Sequence, residues 1–185
     1  MSMLLGFAPF IVFALFDNLL GVVPALCAAA FISAVFFVRD WLSPKRTLKL
    51  LEVGTLLLFG GLALYAVAMH TAWSLLGVRL RVDAGLLIVV LVSMAIRQPF
   101  TLQYAREQVP PEVWKHPSFM KTNNVLTAVW AVAFGLMVLA DVAMIYVPSI
   151  PLWVGVAVTV IAIAGAIRFT LWYPARVRAR LQGQP

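Results

Sequence analysis

Three aspartates in this chain stand where charge is costly. Asp17, Asp83 and Asp141 each lie beside or inside long apolar runs, and Arg79 and Arg81 lie just before Asp83. An ionisable side chain within an apolar span marks a functional site by default. Two kinds of chemistry fit these five residues. They can form salt bridges that pin helices together, which is the default expectation. Alternatively, the aspartates carry a proton or a cation. Asp141 is the best single candidate, because its surroundings, "VLADVAMIYV", are apolar. Asp17 and Asp83 are expected to be solvated at the outer ends of their helices.

Other chemistry is thinly represented. Glu52 follows Lys49 by three residues, close enough on a helix to pair, and the pair reads as structural. His70 and His116 are the two histidines, and they fall at opposite faces of the expected topology. No Cys/His cluster accompanies them, so no metal, haem or other cofactor is expected. No Ser/His/Asp set, phosphate-binding glycine loop or dinucleotide fingerprint occurs. Catalytic residues are therefore not assigned. An enzyme acting on lipid head groups would need Arg97, Arg106, Arg168 and Arg176 to converge on one phosphate.

The elements that must hold these residues are apolar. Of 185 residues, 63% are hydrophobic and 11% are charged. A soluble domain runs near half apolar and about a quarter charged, and a small domain buries the least of its surface. The excess needs a bilayer. The single cysteine, Cys27, can form no internal disulfide and reads as a small core residue. The start, "MSMLLGFAPFIVFALF", lacks the basic residues of a cleaved signal and is expected to be retained.

Six apolar runs are candidate spans: Met3 to Phe16, Leu19 to Val38, Leu48 to Met69, Ala84 to Ile96, Asn124 to Val147 and Leu152 to Trp172. A crossing takes roughly 20 residues, so the first and fourth are short. The fourth lengthens if Leu75 to Val82 joins it. Twelve of the fourteen Lys and Arg residues fall in stretches 39–49 and 97–121 and in the tail, and only Arg79 and Arg81 lie elsewhere. Cations stay cytoplasmic. The expectation is an all-α bundle in a bacterial inner membrane, both termini inside, as one domain of three hairpins, 3–38, 48–96 and 124–172. A cytoplasmic loop, 97–123, and a basic tail, 173–185, complete it. The net charge of +7 follows from this topology and from anionic lipids. Nucleic acid is not an expected partner.

One phrase occurs twice. "AIRQPFTLQYAR" at 95–106 matches "AIRFTLWYPAR" at 166–176 after a two-residue insertion. Upstream, "FGGLALYAVAM" at 59–69 matches "FGLMVLADVAM" at 134–144, with Ala66 opposite Asp141. These matches predict a parallel internal repeat of a two-helix unit. In that reading each phrase anchors a hairpin at the head groups, through Arg97, Arg106, Arg168, Tyr173 and Arg176. A short surface helix is expected between Pro110 and Pro117, with Trp114 and Phe119 in lipid. Small residues at four-residue spacing, Ala131 with Gly135 and Ala162 with Ala166, allow close helix contact and leave a homo-oligomer open.

The segment "EVWKHPSFMKTNNVLTAVWAVAFGLMVL" resembles the bacterial intracellular septation protein A (YciB-like) family of inner-membrane proteins. Val113-Trp114, Asn123, Trp130-Ala131 and Phe134 carry the likeness. It implies a non-enzymatic role in septation or envelope maintenance, through lipids or division proteins, and no catalytic residues. The "QPFTLQYARE" phrase is not part of the likeness. A small proton- or cation-coupled transporter using Asp141 with Asp17 or Asp83 is the alternative.

Overall fold

The computed structural model describes residues 6–43, 49–69 and 73–182. Their regular elements are helices, with no strand among them: α1 (Ala8–Leu20), α2 (Val22–Leu42), α3 (Leu50–Met69), α4 (Leu75–Ala95), α5 (Phe100–Arg106), α6 (Pro117–Tyr146) and α7 (Leu152–Gln182). The chain divides into two compact units, Met1–Val89 and Val90–Pro185.

Four helices are long and apolar enough to cross a membrane: Val22–Leu42, Leu50–Met69, Pro117–Tyr146 and Leu152–Ala179. Large apolar side chains cover their outer faces, among them Leu57, Leu64, Leu139 and Ile161. Apolar surface on this scale suits lipid.

In the first unit, α1 packs on α2 and α2 on α3. A single residue, Gly21, joins α1 to α2 at φ +88°, a backbone region that glycine enters without strain. Pro24 lies in the first turn of α2, where a missing N–H removes no helical bond. Phe13 of α1 meets Phe59 of α3 with ring centroids 5.9 Å apart. Helices α3 and α4 approach closely through glycine. A side chain at Gly54 would strike Val89, and one at Gly85 would strike Leu58.

In the second unit, α6 packs against α7 and carries α5 beside it. One face of α6 is buried from end to end through Asn123, Thr127, Trp130, Phe134, Met137, Asp141 and Met144. The alternating steps of three and four keep these residues in one stripe.

Several boundaries move from those expected. Helix α1 runs through Asp17 to Leu20 rather than stopping at Phe16, and α2 continues past Val38 to take in Arg39 and Asp40. Residues 75–82 do join the fourth run, which makes α4 a full 21 residues. Pro117 begins α6 instead of ending a surface helix, since proline is preset for the first helical position. His116 caps that start, its Nδ1 accepting from the Ser118 N–H at 3.3 Å. Between Pro110 and Pro117 only one 3-10 turn forms, Pro111–Val113. The basic tail continues α7 as far as Gln182. Cys27 is exposed on α2, not a core residue.

Candidate functional site

A buried cluster of charge sits where α2 ends and α3 begins. Asp40, Lys49 and Glu52 are each buried. Lys49 lies just ahead of α3 and places its ammonium between the two carboxylates. Its Nζ is 2.6 Å from Asp40 Oδ2 and 3.3 Å from Glu52 Oε1. Arg39 closes the outer side, with Nη2 2.8 Å from Asp40 Oδ1 and 3.9 Å from Glu52 Oε1. Its guanidinium also covers the Phe36 ring at 4.8 Å. The side chain of Arg39 remains half exposed.

Local structure explains the pairing. Asp40 lies in the last turn of α2, where the helix dipole disfavours an anion. Arg39 and Lys49 supply the charge that holds it there. Glu52 lies in the first turn of α3, where the dipole favours an anion. With both carboxylates ionised the four side chains carry two positive and two negative charges, so each buried ion faces an opposite charge. The two carboxylates are not held alike. Both Asp40 oxygens accept short charge-assisted bonds, whereas Glu52 Oε2 is buried with no hydrogen-bond partner among the described residues.

Asp40 escaped the reading of the sequence, which counted Arg39 as one more cytoplasmic cation. The available signal was opposite charge on both sides of one short connection: Arg39-Asp40 before it, Lys49 and Glu52 after it. Lys45 and Arg46, also counted in that stretch, lie outside the described residues.

The five residues first singled out are distributed between the units. Asp17 and Asp83 are buried in the first unit rather than solvated, and Asp141 is buried in the second. Arg79 is half-buried. Arg81 is exposed. Its Nη1 donates to Gly77 O at 2.6 Å, and its guanidinium covers Trp73 at 4.8 Å.

The twice-occurring phrase gives two different backbones. After α4 the chain turns at Arg97, which has φ +57°. The Arg97 N–H donates to Met94 O and the Gln98 N–H to Ser93 O, both at 2.9 Å, the double bond pattern that ends a helix in a left-handed residue. Helix α5 then folds inward, with Phe100, Thr101, Leu102 and Tyr104 all buried. This overturns the expectation of rings resting in the head-group layer at this copy. The Ser93 hydroxyl accepts from the Phe100 N–H at 3.2 Å, satisfying the first orphan donor of α5. Thr101 Oγ1 donates to Asn123 O at 3.0 Å and lies 2.9 Å from Thr127 Oγ1. Arg106 is half-buried against Trp114, 5.5 Å from the ring, and Trp114 Nε1 donates to Val109 O at 3.2 Å. Trp114 thus covers the end of this segment.

The second copy stays helical through Pro174. Arg168 is exposed. Tyr173 stacks on Phe169 at 5.1 Å, and the Arg176 guanidinium covers Trp172 at 4.9 Å. Trp130 Nε1 of α6 donates to Thr170 at 3.1 Å. His116 is exposed at the start of α6, and His70 lies outside the described residues. Among the described residues no three of His, Cys, Asp and Glu group as metal ligands.

In comparisons with known proteins, no family model, no curated protein and no solved structure matches this chain.

Proposed function

We propose that this chain is a multi-pass protein of a bacterial inner membrane that moves protons or small cations, using acidic side chains buried in its apolar helices. One observation carries the reading. Of the seven Asp and Glu residues, five are less than a tenth exposed: Asp17, Asp40, Glu52, Asp83 and Asp141. Holding a carboxylate away from water is expensive. Helices that needed only to fill a bilayer would use apolar residues there. Acidic groups retained inside spans mark ion and proton pathways. In this reading α1–α2, α3–α4 and α6–α7 form three hairpins. The basic ends, with both termini, face the cytoplasm.

The test is flux into liposomes. Purified wild-type protein should pass protons or a small cation. Asp141→Asn should abolish that flux while melting within a few degrees of wild type. No wild-type flux, beside an Asp141→Asn variant that only melts earlier, makes Asp141 a structural pin. A second reading then gains: envelope maintenance of the septation type, through lipid or protein partners. It is favoured by the exposed polar turns around Glu107, Gln108, Glu112, Lys115 and His116. Capture of a defined division protein that depends on those side chains would support it.

A further inference from the structure

The cluster at the α2–α3 connection has an asymmetry that salt bridges alone do not require. Asp40 is saturated: Lys49 and Arg39 bind its two oxygens at 2.6 and 2.8 Å. Glu52 is the more buried of the two, the described cations reach it at longer range, 3.3 Å from Lys49 and 3.9 Å from Arg39, and the Asp40 carboxyl lies beside it. Its Oε2 accepts no hydrogen bond from the described residues. A buried oxygen left open is a poor place for full negative charge and a ready place for a proton. The site also has no need of a free metal cation, because the Lys49 ammonium already occupies the position between the carboxylates. Arg39, half exposed, links the cluster to the surface.

Resting on the ion-handling reading, we propose that Glu52 is a proton-carrying group of this protein, with Lys49 a tethered counter-cation that remains on Asp40. The step is a simple exchange. A hydronium O–H bond breaks on the half-exposed Arg39 side as its proton forms an O–H bond to the Glu52 carboxylate, leaving water; on release that O–H bond breaks and a water takes the proton as hydronium. Both forms of Glu52 are accessible, as a carrier requires. Lys49 and the N-terminus of α3 support the anion. Burial and the open oxygen support the neutral acid. Among the described residues, the charged side chains facing Glu52 are Arg39 and Asp40 from α2 and Lys49 from the segment ahead of α3. Asp40 differs in role: its carboxylate stays ionised and fixes Lys49 in place.

Dicyclohexylcarbodiimide provides the test on the intact protein. This apolar reagent consumes the acid proton and captures the carboxyl as a stable N-acylurea. Buried neutral acids therefore react, and ionised ones do not. In wild-type protein reconstituted in liposomes, peptide mass spectrometry should find the adduct on Glu52, or its amide cross-link to Lys49. Asp40 should remain unmodified. Labelling should fall at least tenfold from acidic to alkaline pH. Glu52 unlabelled at acidic pH, or labelled equally at every pH, overturns the proposal. Flux separates this outcome from the broader reading. If Glu52 labels as expected and no ion moves, Glu52 is a proton site and the transport reading fails. If wild-type protons move and Glu52→Gln moves them equally well, transport stands and Glu52 is not its carrier. Glu52→Asp should restore part of any flux that Glu52→Gln removes.

Discussion

Residues 95–106 and 166–176 carry nearly the same words and take different paths. In the first copy the helix ends at Ala95, the chain turns at Arg97, and a new helix starts at Phe100. In the second, Ala166 through Arg176 remain inside α7. Yet the two threonines that align, Thr101 and Thr170, both hydrogen-bond to α6, at Thr127 and at Trp130. Those partners are three residues apart and so share one face of that helix. The side-chain contact is kept while the backbone is redirected. The inserted Gln98-Pro99 accounts for the change. Proline biases the residue before it out of the helical region, so α4 ends and α5 begins anew.

The largest way to break this comparison is Trp130→Ala. Trp130 lies edge-on to Phe100 at 6.3 Å and against Phe134 at 5.8 Å, and it donates to Thr170. It is therefore the point where both copies rest on α6. Losing so large a buried ring should cost about 3–5 kcal/mol. A marked fall in melting temperature in detergent is expected, and a change of only a degree or two would show that neither copy depends on it. Thr101→Val and Thr170→Val act on the copies separately. Thr101 is buried and serves two partners, so its loss should cost roughly 1–2 kcal/mol. Thr170 is half-buried with a single partner, and about 0.5–1 kcal/mol is expected. Equal melting shifts would mean that the two threonines are equivalent despite their different backbones.

Hydropathy made the helical class and the long spans legible, because lipid-facing helices must be apolar whatever their neighbours. It did not reveal which polar residues turn inward. "FTLQYAR" looks interfacial in one dimension, since Gln, Tyr and Arg all suit the head-group layer. Its burial depends on Thr127 and Trp130, more than twenty residues away, supplying a hydroxyl and a ring. The spacing of Phe100 and Tyr104, one helical turn apart, was the one local hint of a buried face. Asp40 was hidden for a similar reason. Next to Arg39 it reads as a self-neutralising surface pair. Only the packing of α2 against α3 brings Lys49 to its other oxygen. The candidate aspartates, in contrast, were evident from their apolar surroundings, although the burial of Asp17 and Asp83 was not.

The smallest effect gives the sharpest contrast, because it should change sign between the copies. Arg97 holds a left-handed backbone that a side chain enters at a cost of roughly 1–2 kcal/mol. Glycine removes that strain but adds freedom to the unfolded chain worth about 0.5–1 kcal/mol. Arg97→Gly should therefore stabilise the protein by roughly 0.5–1 kcal/mol. Arg168 is the aligned residue in mid-helix, where glycine costs about 1 kcal/mol. Arg168→Gly should lower the melting temperature while Arg97→Gly raises it. If both lowered it, the Arg97 side chain would contribute more to its surroundings than its backbone loses.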